Sequence, residues 1–335
     1  MDNYKWQLQK YSGRNSRHTC PACGRPHCFT LYVDAAGNPL ASDVGRCEHL
    51  SKCGFHKTPA EHFADHPNEE RKPYSAKTGI SATTKKQPEQ IDFIPFSLIH
   101  RSESTSNSLM RYLAKSFPQS GLEMVTKMYH LGSTRKGEII YPQIDAQGRC
   151  RTGKVMAYGE DGHRIKRSEC DAVDWLHARL MRQQGKTASD YHLRQCLFGE
   201  HLLTKYPYRI ACLTEGEKSA VIASLFFPQF VWVSCGGKFG LKPETCKSLA
   251  GRDVIVYADA DAVAEWSEKI RRLDFCKSIR LSDWAKDEPQ GSKQDIADLL
   301  MAEKARMQAK PTTVGDVCRW LHELEIPAGR VTFNL

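Results

Sequence analysis

Arg209-Ile-Ala-Cys-Leu-Thr-Glu-Gly-Glu-Lys-Ser-Ala220 begins as a short apolar run and exits on a carboxylate followed by glycine. An apolar run of this length, bounded by a turn and followed by a helix-forming segment, has the pattern of a strand buried on both faces. Its exit places Glu215 at the carboxyl end of that strand, where open α/β sheets bind ligands. Gly216 permits the tight turn and lets a phosphate approach the backbone. The pattern recurs at Asp253-Val-Ile-Val-Tyr-Ala-Asp-Ala-Asp261. There the spacing of two sends Asp259 and Asp261 to the same side of extended chain. A third acidic pair, Asp295 and Asp298, lies in Lys293-Gln-Asp-Ile-Ala-Asp-Leu299. A single acidic residue after a strand carries little information, because such residues often cap the next helix. Three clusters in this order can converge on one crevice and hold Mg²⁺ (or Mn²⁺), which phosphoryl-transfer chemistry commonly requires.

Outward from these clusters the chain alternates. Strands are expected at 209–214, 230–234, 253–258 and 278–281, and helices at 217–226, 243–249, 262–273 and 295–308. Alternation at this length implies an α/β fold, a parallel sheet with helices on both faces. Between the first two clusters, Ser234-Cys-Gly-Gly-Lys238 ends a strand in a loop that can lie against a phosphate. Gly236, Gly237 and Lys238 are therefore candidate nucleotide contacts, together with Lys218 of the helix expected at 217–226.

Upstream, residues 91–206 read as a basic α+β subdomain. A helix is expected near 106–116, and a β-meander over 128–167 is edged by Arg149, Arg151, Lys154, Arg164, Lys166 and Arg167. Gly148-Arg-Cys-Arg-Thr-Gly-Lys-Val155 nearly spells a phosphate-binding loop, but Val155 stands where Ser or Thr should ligate Mg²⁺. That loop must open a helix, and here the chain continues as strand. A hairpin whose basic side chains contact phosphates fits better, which makes Arg151, Lys154, Arg164 and Lys166 candidates for nucleic-acid binding. Residues 64–90 are polar and nearly free of large apolar side chains, the composition of a flexible linker. Residues 306–335 form a C-terminal tail with one more helix, near 314–323.

Residues 1–63 concentrate cysteine and histidine. Cys20-Pro-Ala-Cys23 is a C-x₂-C knuckle, and Cys47 and Cys53 supply a second pair. Two thiolate pairs close a tetrahedral Zn²⁺ site, and a module this small needs such a staple. Five residues separate the second pair, so His49 or His56 can stand in for a thiolate. Four protein ligands leave no open position, and the zinc is expected to be structural.

Composition agrees with a globular protein. Its 335 residues are 40% hydrophobic and 26% charged, with net charge +9. The excess is uneven: residues 101–210 hold 18 basic against 11 acidic side chains, and 211–335 hold 17 against 18. A basic platform beside an acidic metal site suits a polyanionic substrate. Thirteen cysteines, an odd number, read as reduced thiols and metal ligands. The polar segment 1–10 does not resemble a secretory signal and no apolar run approaches membrane-spanning length, so a cytoplasmic location is expected.

Taken together, Thr214-Glu-Gly-Glu217, Ser234–Lys238, Tyr257–Asp261 and Lys293–Leu299 resemble the motifs of the TOPRIM family: primases, topoisomerases of types IA and II, and certain nucleases. The resemblance covers 207–305 and lies closest to bacterial and phage primases, whose order of zinc ribbon, linker, basic subdomain and TOPRIM domain matches this chain. It is also similar to zinc-ribbon TOPRIM proteins of mobile elements. The resemblance implies that Asp259, Asp261 and Asp295, with Asp298, hold Mg²⁺ near the phosphates of an incoming nucleotide. It implies that Glu215 is a metal ligand or general acid/base, and that Lys154, Arg164 and Lys166 track phosphates. The implied activity is a nucleotidyltransferase's: short RNA primers made on single-stranded DNA from nucleoside triphosphates, with a separate replicative helicase as a partner. Ala260 and Ala262 depart from the polar or glycine residues common there. A nuclease using the same cluster, and a non-catalytic nucleic-acid-binding accessory protein, are the alternatives.

Overall fold

The computed structural model describes residues 6–13, 16–34, 36–49, 53–66, 90–165, 173–286, 288–289, 291–309 and 313–323. Most of the linker read at 64–90 lies outside the described residues, as does Lys166. The chain divides into two units, Met1–Glu89 and Gln90–Leu335.

The first unit is an antiparallel sheet of β1 (Gln7–Leu8), β2 (Phe29–Val33), β3 (Gly45–Cys47) and β4 (His56–Lys57), paired in chain order. Phe29 and Leu31 are buried with Cys20, Cys28 and Cys47, and Phe55 packs against them. Helix α1 (Pro59–Asp65) opens on a capping box: Thr58 accepts from the Glu61 N–H and the Glu61 carboxylate accepts from the Thr58 N–H. Pro at the first helical position loses no hydrogen bond there.

The second unit starts with helices α2 (Phe96–Ser102), α3 (Ser108–Leu113) and α4 (Gln119–Tyr129). An antiparallel sheet follows, of β5 (Gly132–Ser133), β6 (Ile139–Ile144), β7 (Cys150–Met156) and β8 (Asp174–Trp175), again in chain order. One expectation changes here. Of the stretch 163–167 expected to close the meander, the described residues 163–165 make one isolated bridge, Tyr158 with Arg164, and β8 takes the place beside β7. Gly153, Lys154 and Val155 lie inside β7 opposite β6, the hairpin expected there in place of a phosphate loop.

After α5 (Leu176–Gln183) and α6 (Glu200–Lys205) the alternation begins: β9 (Ala211–Thr214), α7 (Glu217–Phe226), β10 (Val231–Ser234), α8 (Pro243–Cys246), β11 (Asp253–Tyr257), α9 (Val263–Ile270), β12 (Ser278–Leu281) and α10 (Ile296–Ala309), then α11 (Val314–Glu323). The four strands are parallel and ordered β10-β9-β11-β12. Parallel neighbours start from the same edge of the sheet, so the chain must cross back between them, and α7, α8 and α9 make those crossings.

Both sheets share one hydrophobic core, which runs from Leu109 to Leu300. Its seam is specific. The Tyr129 hydroxyl is 2.6 Å from Ser224 Oγ and donates to the Trp232 carbonyl at 2.8 Å, while its ring stacks on Phe198. Phe198 also bridges Ser234 through the backbone. Among the described residues, no helix is long and apolar enough to cross a membrane.

Candidate active site and zinc centre

Strand order places the acidic residues. After β9 the chain moves to one side, to β10, and then crosses to the other side, to β11, so the carboxyl ends of β9 and β11 flank a topological switch point. Thr214 stands level with Tyr257 on one side and Ser234 on the other. Glu215, the Ser234–Lys238 loop and Asp259 therefore leave the sheet from one edge. Side-chain bonds fix the exits from β9 and β10: Thr214 Oγ1 donates to the Gly216 carbonyl at 3.0 Å, Ser234 Oγ to the Glu215 carbonyl at 3.0 Å, and the Gly236 N–H to Ser234 Oγ at 3.1 Å. Gly236 and Gly237 have φ of 81° and 133°, values that disfavour any side chain. The Ala260 N–H donates to the Gln294 carbonyl at 3.0 Å, which brings the segment entering α10 to the same edge.

The carboxylates press on one another. Burial raises the Glu215 carboxyl to about 7, and the Asp261 charge adds to the rise while the Lys238 and Lys154 charges and the Lys238 backbone N–H oppose it. Glu215 Oε2 is buried without a hydrogen-bond partner among the described residues. Burial also raises the Asp259 carboxyl, to about 8, reinforced by the charges of Glu215, Asp295 and Asp261 and opposed by Lys218. Asp261 is exposed. Half-buried carboxylates that suppress one another's ionisation, with an orphaned buried oxygen among them, fit a divalent cation that would relieve the repulsion.

Asp295 and Asp298 are arranged differently. Asp295 precedes α10 and accepts from the Asp298 N–H at 2.9 Å, while Asp298 accepts from the Asp295 N–H at 3.2 Å, a reciprocal cap. The ammonium of Lys218, on the first turn of α7, lies 3.4 Å from Asp295 and donates to Asp298 at 3.0 Å.

Other candidates from the sequence are scattered. Lys238 sits at the acidic edge, its Nζ donating to the Asp261 carbonyl at 3.0 Å and lying 3.7 Å from Glu265. Lys154 is buried, ion-paired with Glu217 at 3.0 Å, hydrogen-bonded to the Gly236 carbonyl and placed over the Trp175 ring. It braces the glycine loop from beneath. Arg151 donates to the buried Asp145 at 2.8 Å and lies over Phe93. Arg164 is half-buried and bridges Tyr158 just beyond the turn after β7. Sequence reasoning missed Glu217: the signal would have been a carboxylate on the buried face of a predicted helix, needing a cation from elsewhere.

In the first unit the sulfurs of Cys20, Cys23, Cys47 and Cys53 lie within 4.8 Å of one another. Cys20–Cys53 is 3.8 Å and Cys23–Cys47 is 4.0 Å. A tetrahedral zinc with Zn–S of about 2.3 Å has S···S edges of about 3.8 Å, so these four thiolates fit the ion. Cys53 completes this four-sulfur set. His56 stacks on Tyr32 and shares a 3.0 Å hydrogen bond with its hydroxyl, while His49 bonds Arg25. Cys28 and His49 also come within reach of Cys23 and Cys47, an overlapping set. Cys28 Sγ, however, donates to the Arg25 carbonyl at 3.2 Å.

Residues 4–68 match a family model described as a zinc beta-ribbon finger, in accord with this geometry. Residues 107–260 match a domain of unknown function, DUF6371. No curated protein matches the chain. Among solved structures, the chain is similar to the primase fragment of the bacteriophage T7 primase-helicase protein, at 14% identity over 88% of this chain and 97% of that one, with TM-score 0.36. It is similar to the DnaG primase catalytic domain bound to ssDNA, at 14% identity over 64% and 75%, with TM-score 0.40. A third similarity is to the zinc-binding and RNA polymerase domains of the Aquifex aeolicus primase, at 13% identity over 90% and 79%, with TM-score 0.37.

Proposed function

We propose that this chain is a primase-type nucleotidyltransferase of the TOPRIM family, which joins nucleoside triphosphates into a short RNA primer on single-stranded DNA. The observation that carries the reading is the exit of Glu215 and Asp259 from adjacent strand ends at a topological switch point, with carboxyls that burial and then neighbouring carboxylates hold above the ordinary range. Glu215, Asp259 and Asp261 would hold Mg²⁺ or Mn²⁺. Such a cation, when bound, neutralises phosphate charge during phosphoryl transfer. The chain's own residues supply position. Gly236 and Gly237 let a phosphate approach the backbone, Lys238 brings positive charge to the rim, and the Lys154–Glu217 pair holds the loop. The zinc ribbon, read at 1–63, would present a surface to the template, and the module at 207–305 the chemistry.

The test is primer synthesis on single-stranded DNA with four ribonucleoside triphosphates and Mg²⁺, using wild type, Glu215→Gln and Asp259→Asn. Wild type is expected to make labelled oligomers, and each variant to lose activity by about 100-fold or more. Synthesis at the wild-type rate by Asp259→Asn overturns the site. Cleavage of DNA without triphosphates identifies a nuclease instead, and the absence of both reactions an accessory binding protein.

A further inference from the structure

Lys218 follows Glu215 by three residues, and its side chain is 15% exposed. Its ammonium donates to Asp298 Oδ1 at 3.0 Å and sits 3.4 Å from Asp295 Oδ2. The remaining oxygens are taken as well, Asp295 Oδ1 by the Asp298 N–H and Asp298 Oδ2 by the Asp295 N–H. Every oxygen of the pair is thus engaged by the chain itself. The other carboxylates contrast with this. Glu215 Oε2 is a buried orphan, and the side chains of Asp259 and Asp261 make no hydrogen bond or ion pair among the described residues.

A cation lodged between two carboxylates repels a second cation at the same place and satisfies the oxygens that would bind it. We propose that Lys218 is a resident cation that limits the acidic edge to one divalent ion, held by Glu215, Asp259 and Asp261, and closes Asp295 and Asp298 to metal. The inference rests on the metal-dependent reading of this edge. Lys218 also ties the first turn of α7, beside Glu215, to the first turn of α10. It is therefore a positioning residue, and the sequence signal for it is a lysine one helical turn beyond the Glu-Gly exit.

The test is calorimetric Mn²⁺ titration of the zinc-loaded full chain, with EPR of bound Mn²⁺ as a readout independent of activity. Wild type is expected to take one ion, Lys218→Met two with the EPR signature of a coupled pair, and Lys218→Met/Asp298→Asn one again. In the wild-type background, Asp298→Asn lowers affinity by less than about tenfold and Asp259→Asn by about 100-fold or more. Two ions in wild type, or one in Lys218→Met that is folded by circular dichroism, overturns the proposal. Should Lys218→Met not fold, Asp298→Asn decides: a loss equal to that of Asp259→Asn makes Asp298 a ligand and overturns it. Failure of the underlying reading looks different. A wild type that binds no Mn²⁺, or an Asp259→Asn variant that binds as tightly as wild type, removes the metal site and this inference with it.

Discussion

Glu215 and Asp259 carry a pH dependence whose direction follows from their surroundings. In the metal-free folded chain their carboxyls lie at about 7 and about 8, against ordinary values of 4.5 and 3.8. Between those limits the folded state binds more protons than the unfolded one, so stability falls as pH rises from about 4 to 8. A divalent cation favours the ionised forms, and the gain in melting temperature on adding Mg²⁺ should grow across the same window. Melting curves at several pH values, with and without Mg²⁺, check this; a gain that does not vary with pH places the ion elsewhere. Lys154 and Glu217 make a second case. Their side chains are 8% and 3% exposed. Lys154→Ala strands a buried carboxylate and should cost about 3–5 kcal/mol in urea unfolding, whereas removing both charges should cost less than the sum of the single changes. Glu215 and Asp259 were readable from sequence because each follows an apolar run. Lys154 was not: it read as a phosphate-contacting cation of a basic hairpin, but the strand is covered on both faces and its partner lies 63 residues away.

Helix and strand limits were most readable where apolar pattern and local chemistry agree. The expected ranges 217–226, 278–281 and 314–323 coincide with α7, β12 and α11. Helix α10 begins just after Asp295 because Asp295 and Asp298 satisfy each other's backbone N–H groups. The spacing of three that resembles a metal motif is thus also the spacing of a cap, and sequence cannot separate the two roles. Helices α4 and α5 fell in stretches without a clear expectation. Each starts after a residue that makes no side-chain cap bond, Pro118 and Trp175, so the usual start signal is missing. Helix α3 shows what a cap contributes. Asn107 is fully buried; its Oδ1 accepts from the Met110 N–H at 3.0 Å and its Nδ2 donates to the Ser104 carbonyl and Ser133 Oγ. Asn107→Ala orphans these groups and should destabilise the second unit by about 2 kcal/mol or more, read as a shifted urea midpoint at unchanged slope.

Two units with separate cores imply two different sources of stability. The core of Gln90–Leu335 spans both of its sheets and includes Trp232, Trp266, Tyr257 and Phe198, all at most 2% exposed. Among the described residues, the core cluster of the first unit is five buried side chains, three of them cysteines. Two of those three, Cys20 and Cys47, belong to the zinc set, so that core cannot form without bringing their thiols together. Packing of this size does not offset the entropy of ordering some 60 residues, whereas a structural zinc contributes on the order of 10 kcal/mol or more. Zinc removal should therefore act selectively. Treating the full chain with a chelator, or replacing Cys20 by Ser, is expected to release zinc and to open the amides of β2 and β3 to rapid hydrogen exchange. The amides of β9 and β11 should keep their protection, because their partners and their core lie wholly within the second unit. Exchange mass spectrometry with a colorimetric zinc assay measures both at once. Protection lost in β9 and β11 together with β2 and β3 means that the chain unfolds as one body; protection retained in β2 and β3 after zinc leaves means that the ribbon stands without its metal.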